Sequence, residues 1–235
     1  GEPLVLIHGS GQSIESMKHQ IEYFADRYRV VVADSRAHGK SGMGAEQMTY
    51  RQMASDWAGL IEYLELGRVR LVGWSDGGNI GLLMGLLYPQ MIDRVAVMGA
   101  NMRPDTTAVY DWAVDWVARE SQRVDDMLAS GDTTRNWEAA RQQMYLLREL
   151  PNISEDEMRR LEAPVLVMAG DRDIIREEHT VFMYQTLPRA HLAIFPGQTH
   201  FTPTTDPELF NATVARFMER PYTRPESKNF VLAEH

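Results

Sequence analysis

Six short apolar runs punctuate the chain, at residues 4–7, 30–33, 69–72, 95–98, 164–169 and 192–195, each followed within a few residues by Gly, Asp, Asn or Pro. They are mostly β-branched and do not alternate with polar positions, so they predict strands buried on both faces. Between them, at 16–24, 50–64 and 79–88, apolar residues recur at helical spacing. Alternating strands and helices predict an α/β fold, a mostly parallel sheet with helices on both faces.

The alternation breaks after the fourth run. Residues 105–157 contain no strand pattern and predict two or three amphipathic helices. Val109, Trp112, Ala113, Trp116 and Val117 fall on one stripe, and Trp137, Met144, Tyr145 and Leu147 supply a second apolar set. Ser154 with Glu157 three residues later reads as a capping box opening a short helix. A helical cap inserted at 101–159, between core segments 1–100 and 160–235, is therefore expected. Residues 208–218 predict a terminal helix with Leu209, Val214, Phe217 and Met218 facing inward, stopped by Pro221. The polar stretch after Tyr222 predicts a loosely packed tail.

Composition narrows the function. The 235 residues include no Cys, which excludes disulfides, thiolate metal sites and a Cys nucleophile. Asp plus Glu number 33 against 24 Lys plus Arg, a formal net charge of -9 that repels nucleic acid and anionic membranes. The N-terminal apolar run is too short for a secretion signal or a membrane span. A soluble protein is expected. The compartment stays open, with the cytoplasm favoured, and so does the oligomeric state.

Gly73-Trp74-Ser75-Asp76-Gly77-Gly78 follows one predicted strand and precedes one predicted helix. A tight strand-to-helix turn with glycines at its crossing points presents Ser75 at the sheet edge as a nucleophile. The Asp76 amide then sits in the first helical turn, where unpaired N–H groups favour negative charge. A serine needs a base, and His200, in the loop beyond the last strand, is the candidate. An orienting carboxylate comes from Gly170-Asp171-Arg172-Asp173, where either aspartate can serve. His8-Gly9-Ser10-Gly11 opens at the same edge, and the Ser10 amide would pair with that of Asp76 as an oxyanion hole.

These landmarks, with Asp34-Ser35-Arg36-Ala37-His38-Gly39-Lys40-Ser41, resemble the α/β-hydrolase superfamily over nearly the whole chain. The resemblance implies that Asp173 rather than Asp171 orients His200. It also implies a cap over the active site and an N-terminal hairpin ahead of the first strand, which these residues do not include, leaving a strand edge open. Ala37 departs from the glycine usual at that position. The Ser nucleophile argues against the dehalogenases and epoxide hydrolases of the superfamily, which use an aspartate there.

The elbow wording most resembles valacyclovirase-like esterases, in which the acid after the nucleophile is thought to hold a substrate ammonium. That residue would be Asp76. An unpaired carboxylate beside the nucleophile opposes an oxyanion, so a cationic substrate group, an Arg or full solvation must offset it. The expected activity is hydrolysis of small carboxylic esters through an acyl-enzyme, with α-amino acyl groups as candidate substrates. Alternatives are a C–C bond hydrolase or perhydrolase with the same residues, and a hydrolase-like ligand-binding protein. Candidate substrate contacts are Asp76, Trp112, Trp116 and Tyr145; the simpler reading of the Trp pair is packing against the main domain. Trp74 is expected under the elbow, His8 in a structural role, and Asp34, Arg36 and His38 in an ion-paired loop scaffold. No metal or cofactor is expected, and the partner is a small-molecule ester.

Overall fold

The computed structural model describes residues 1–232. All six predicted strands form: β1 (Pro3–Ile7), β2 (Arg29–Val32), β3 (Val69–Trp74), β4 (Ile92–Met98), β5 (Val165–Arg172) and β6 (Ala190–Thr199). They pair in parallel in the order β2-β1-β3-β4-β5-β6. The chain therefore reverses its direction of travel across the sheet between β1 and β3. In open α/β sheets such a switch point leaves a crevice outside the carboxyl ends of the strands.

The helices are α1 (Lys18–Phe24), α2 (Tyr50–Tyr63), α3 (Asp76–Leu87), α4 (Asp111–Ala129), α5 (Trp137–Glu149), α6 (Glu155–Arg159), α7 (Glu177–Thr186), α8 (Thr202–Thr205), α9 (Pro207–Glu219) and α10 (Ser227–Val231). Strand residues feed two apolar layers by their period of two. Leu4 and Leu6 pack with Phe24 of α1 and Phe210, Val214 and Met218 of α9. Val5 and Ile7 face the other way, among Met53, Trp57 and Ile61 of α2, Ile80 and Leu83 of α3, and Met183 of α7. Each fully buried aliphatic side chain stabilises the fold by about 1.5–3 kcal/mol.

Between β4 and β5 the chain makes α4, α5 and α6. Trp137 and Ala140 of α5 pack on Val124 of α4, so this helical pair has a small core of its own. The Ser154–Glu157 capping box forms as expected at the start of α6. An antiparallel bridge joins Val109 to Ile175, and the Tyr110 amide donates to the Ile174 carbonyl at 3.1 Å, tying the base of α4 to the loop after β5.

Two expectations need correction. The inward residue of α9 is Phe210, fully buried, whereas Leu209 is exposed; the buried stripe runs Phe210, Val214, Phe217, Met218. β6 runs through Pro196 to Thr199, so no loop separates its apolar part from His200. The tail after Tyr222 is exposed where described, as expected, and carries α10. No described helix is long and apolar enough to cross a membrane.

Candidate active site

Strand register sets the site. Ile7 pairs with Gly73, Trp74 with Met98 and Arg172 with Thr199, so the residues just past four strand ends, His8, Ser75, Asp173 and His200, share one edge of the sheet. Ser75 has φ 56° and ψ -119°, a left-handed backbone that costs a non-glycine residue about 1–3 kcal/mol. The turn is held by its neighbours: the Ser75 amide donates to the Met98 carbonyl at 2.7 Å, and the Ser75 carbonyl accepts from the Gly78 amide at 2.7 Å. A Cβ on Gly73 would overlap the Gly77 carbonyl oxygen, and one on Gly77 would overlap that of Ile7. Only glycine allows this crossing.

His200 Nδ1 lies 2.6 Å from Asp173 Oδ1, and both residues are buried. Asp173 Oδ1 also accepts the amides of Ile174 at 2.7 Å and Ile175 at 3.1 Å, while Oδ2 accepts that of Gly170 at 3.3 Å. An ionised carboxylate only accepts, so Nδ1 carries the proton and Nε2 is left with a free lone pair. Asp171 is elsewhere, its Oδ1 taken by the Gly197 amide at 2.9 Å. The Trp74 indole lies under the elbow as expected, donating to the His200 carbonyl at 2.8 Å. Gly99, just past β4, carries no sequence signal; with φ 61° it makes room for the imidazole, because a Cβ there would meet the His200 ring at 2.5 Å.

Asp76 is buried in the first turn of α3. Its Oδ1 accepts from the Tyr50 hydroxyl at 2.7 Å, and its Oδ2 has no hydrogen-bond partner. Burial raises the Asp76 pKa above its ordinary value, against the opposing pull of the Tyr50 hydroxyl, the nearby His38 and the Ser10 hydroxyl. Burial and the Asp76 carboxylate in turn push the Tyr50 phenol well above its usual range. No Lys or Arg forms an ion pair with Asp76 among the described residues. Tyr50 escapes a sequence reading because the first residue of an amphipathic helix gives no sign of what its side chain meets.

The loop after β1 is built from local hydrogen bonds. His8 Nδ1 donates to the Gly9 carbonyl at 2.8 Å and Nε2 accepts from the Ser35 amide at 3.0 Å. Burial holds the His8 pKa below its ordinary value, consistent with a neutral, structural ring. Gln12 Oε1 accepts the Gly9 amide at 2.8 Å, a support the sequence did not reveal. Among the described residues the Ser10 amide has no acceptor, and the Ser10 Oγ is buried without a partner. In the next loop Arg36 grips Asp56 through two bonds of 2.8 and 2.5 Å rather than Asp34, whose oxygens accept the amides of Ile14 and Lys40, both at 2.8 Å. The scaffold is thus amide-capped more than ion-paired. Ala37 adopts φ 60°, so the special backbone angle is present without glycine.

Ser75 and His200 line one cavity of about 350 Å³. Ser10, Gln12, Tyr50, Asp76 and Asn101 give it a polar wall. The predicted stripe of Val109, Trp112, Ala113, Trp116 and Val117 also lines it, with Leu147 and Phe201. Trp112 and Trp116 are 59% and 45% exposed, so they do not pack into the main domain. Tyr145 is a correction: it lies in a separate depression with Gln47, Ser121 and Arg148, because Leu147 and not Tyr145 is on the face of α5 that reaches the cavity.

Comparison with known proteins agrees with this architecture. Residues 2–143 match the family model described as alpha/beta hydrolase fold. The (E)-2-((N-methylformamido)methylene)succinate hydrolase of Acinetobacter baylyi is 40% identical over 42% of this chain and 37% of its own length. Serine hydrolase BPHL of Homo sapiens is 24% identical over 82% of this chain and 70% of its own. A thermophilic esterase from Thermogutta terrifontis, solved with malate bound, superposes with a TM-score of 0.74 at 25% identity, covering 95% of this chain and 91% of that one. The switch-point crevice, the strained serine turn and the family match agree: this chain belongs to the α/β-hydrolase family.

Proposed function

We propose that the protein hydrolyses small carboxylic esters through an acyl-enzyme on Ser75, with residues 101–159 acting as a cap over the site. The observation that carries this reading is the buried 2.6 Å contact of His200 with Asp173 in a cavity shared with the strained Ser75. His200 Nε2 takes the Ser75 hydroxyl proton as Oγ attacks the ester carbonyl, while Asp173 holds the imidazole tautomer. The amides of Ser10 and Asp76 receive the oxyanion, a contribution of about 3 kcal/mol for each such donor. The intermediate collapses by breaking the C–O bond, and the proton on Nε2 goes to the departing alkoxide. Water then attacks the acyl-Ser75 ester by the same route, releasing the acid and restoring Ser75.

Within this reading Asp76 binds a cation on the acyl part, and α-amino acyl esters are the preferred substrates. Asp76 lines the cavity, and its buried Oδ2 without a hydrogen-bond partner supports the assignment. A buried carboxylate without a basic side chain leaves the substrate to supply the counter-charge.

A panel of aminoacyl, short acyl and aromatic esters, run on the wild type and on Ser75→Ala, tests the chemistry. Ser75→Ala is expected to lower kcat/KM by at least about 10³; undiminished turnover contradicts the assignment. Asp76→Asn is expected to reduce kcat/KM for an aminoacyl ester more than for its neutral analogue. Equal losses on both would remove the cation site.

A further inference from the structure

The chain has five Trp. Trp57, Trp74 and Trp137 are buried to 3%, 1% and 5% exposure. Trp112 and Trp116 stay open, and both line the cavity that holds Ser75. They are four apart on α4, hence stacked on one helical face. Phe201, the residue after His200, is 48% exposed, lines the same cavity and lies edge-on to Trp74, ring centroids 6.0 Å apart. Neither indole packs against another ring or a guanidinium among the described residues. Two open indoles and Phe201 thus line one cavity with Ser75 and His200.

Water is a poor neighbour for three such faces. The patch is concave, continuous with the polar wall at Asp76 and Asn101, and flanked on α4 by the exposed Asp111 and Asp115. A concavity of about 350 Å³ is at the small end of ligand pockets and fits a small molecule rather than a protein surface. We propose that the substrate carries, on one side of its scissile bond, a flat apolar group of about one aromatic ring, which lies against Trp112, Trp116 and Phe201 and completes this wall. The inference rests on the ester-hydrolase reading of the same cavity and adds the class of group that the ester bears. The substrate is then two-ended, with a hydrogen-bond donor or cation at Asp76 and a ring under α4.

Binding to Ser75→Ala reads this without turnover. Iodide quenching of tryptophan fluorescence reports the two open indoles, since the other three are buried. Methyl 3-phenylpropanoate and benzyl acetate carry the ring on the acyl and alcohol sides; methyl propanoate and methyl acetate are their ring-free counterparts. At least one ring-bearing ester is expected to protect the indoles, cutting the quenching constant at least about twofold and binding at least about tenfold tighter than its counterpart. With binding read by isothermal titration calorimetry, which needs neither indole, Trp112→Ala with Trp116→Ala should abolish that preference, and Trp112→Phe with Trp116→Phe should restore it, which separates lost ring contact from lost folding. Equal binding of ring-bearing and ring-free esters overturns the proposal. So does protection that appears with protein concentration alone, which would make the patch a contact between two copies. If the wild type turns over no ester while ring-selective protection persists, the hydrolytic reading falls and the aromatic wall stands.

Discussion

Asp76→Asn is expected to make the protein more stable at neutral pH while impairing it. The wild-type carboxylate is buried with one donor, the Tyr50 hydroxyl at 2.7 Å, and its second oxygen is unsatisfied. An amide of the same shape keeps the bond to Tyr50 and carries no charge. Removing a buried, half-satisfied charge recovers about 1–3 kcal/mol. For a chain of this length that is about 2–4 °C in Tm per kcal/mol. The pH dependence has a definite sign. Burial raises the folded pKa of Asp76 above the ordinary 3.8, so the folded state holds its proton longer than the unfolded chain. Wild-type stability therefore falls as pH rises from 3.8 through the folded value, and stays lowered above it. The carboxamide of the variant does not titrate. Calorimetric Tm of both proteins from about pH 4 to about pH 8 should give a gap favouring the variant near pH 7 that narrows toward pH 4. A variant less stable at neutral pH, or a gap independent of pH, would refute the reasoning. The expected gain in stability together with a loss on aminoacyl esters is the trade made by a strained functional site.

Asp173→Asn should keep the Ile174 and Ile175 amide bonds but lose the negative charge facing His200, lowering kcat by about 10⁴ on any ester substrate in steady-state assays; a loss under tenfold would contradict the orienting role. Gly99→Ala should push the His200 ring, cutting kcat with little change in KM, and a crystal structure of the variant would show the imidazole displaced from Asp173. Glu157→Ala breaks the capping box of α6 and its bond to Arg51, and should cost about 1 kcal/mol in urea unfolding. Because the Ser154 amide pulls the Glu157 pKa down from 4.5 to about 2, that cost should be complete above pH 4.5 and vanish as pH falls toward 2.

Much of the fold was legible because the strands are buried on both faces and read as continuous apolar runs, while α2 and α4 carry clean stripes. α7 was not legible: it buries His179, Thr180, Met183 and Thr186, so its inward face is mostly polar and leaves no hydrophobic period. Leu209 and Phe210 are adjacent and both apolar, and only the entry angle set by the Asp206 cap decides which turns inward. In the candidate site, Ser75 and His200 sit in local motifs and could be named, whereas only the family resemblance chose Asp173 over Asp171. Tyr50, Asn101 and Gly99 reach the cavity or the imidazole only through long-range packing, which has no local signature. Tyr145 falls outside the cavity because rotation about α5 separates it from Leu147, and the crossing of α4 over the sheet edge cannot be read from spacing.

The central claim is that Ser75 forms a covalent acyl intermediate. Rapid mixing of the wild type with a chromogenic aryl ester, acid quench and peptide mass spectrometry tests it most directly. The expected result is a burst of phenol matching one equivalent of protein, with the acyl mass on the peptide containing Ser75 and absent in Ser75→Ala. Turnover with no adduct and no burst, or an adduct confined to another residue, would contradict it.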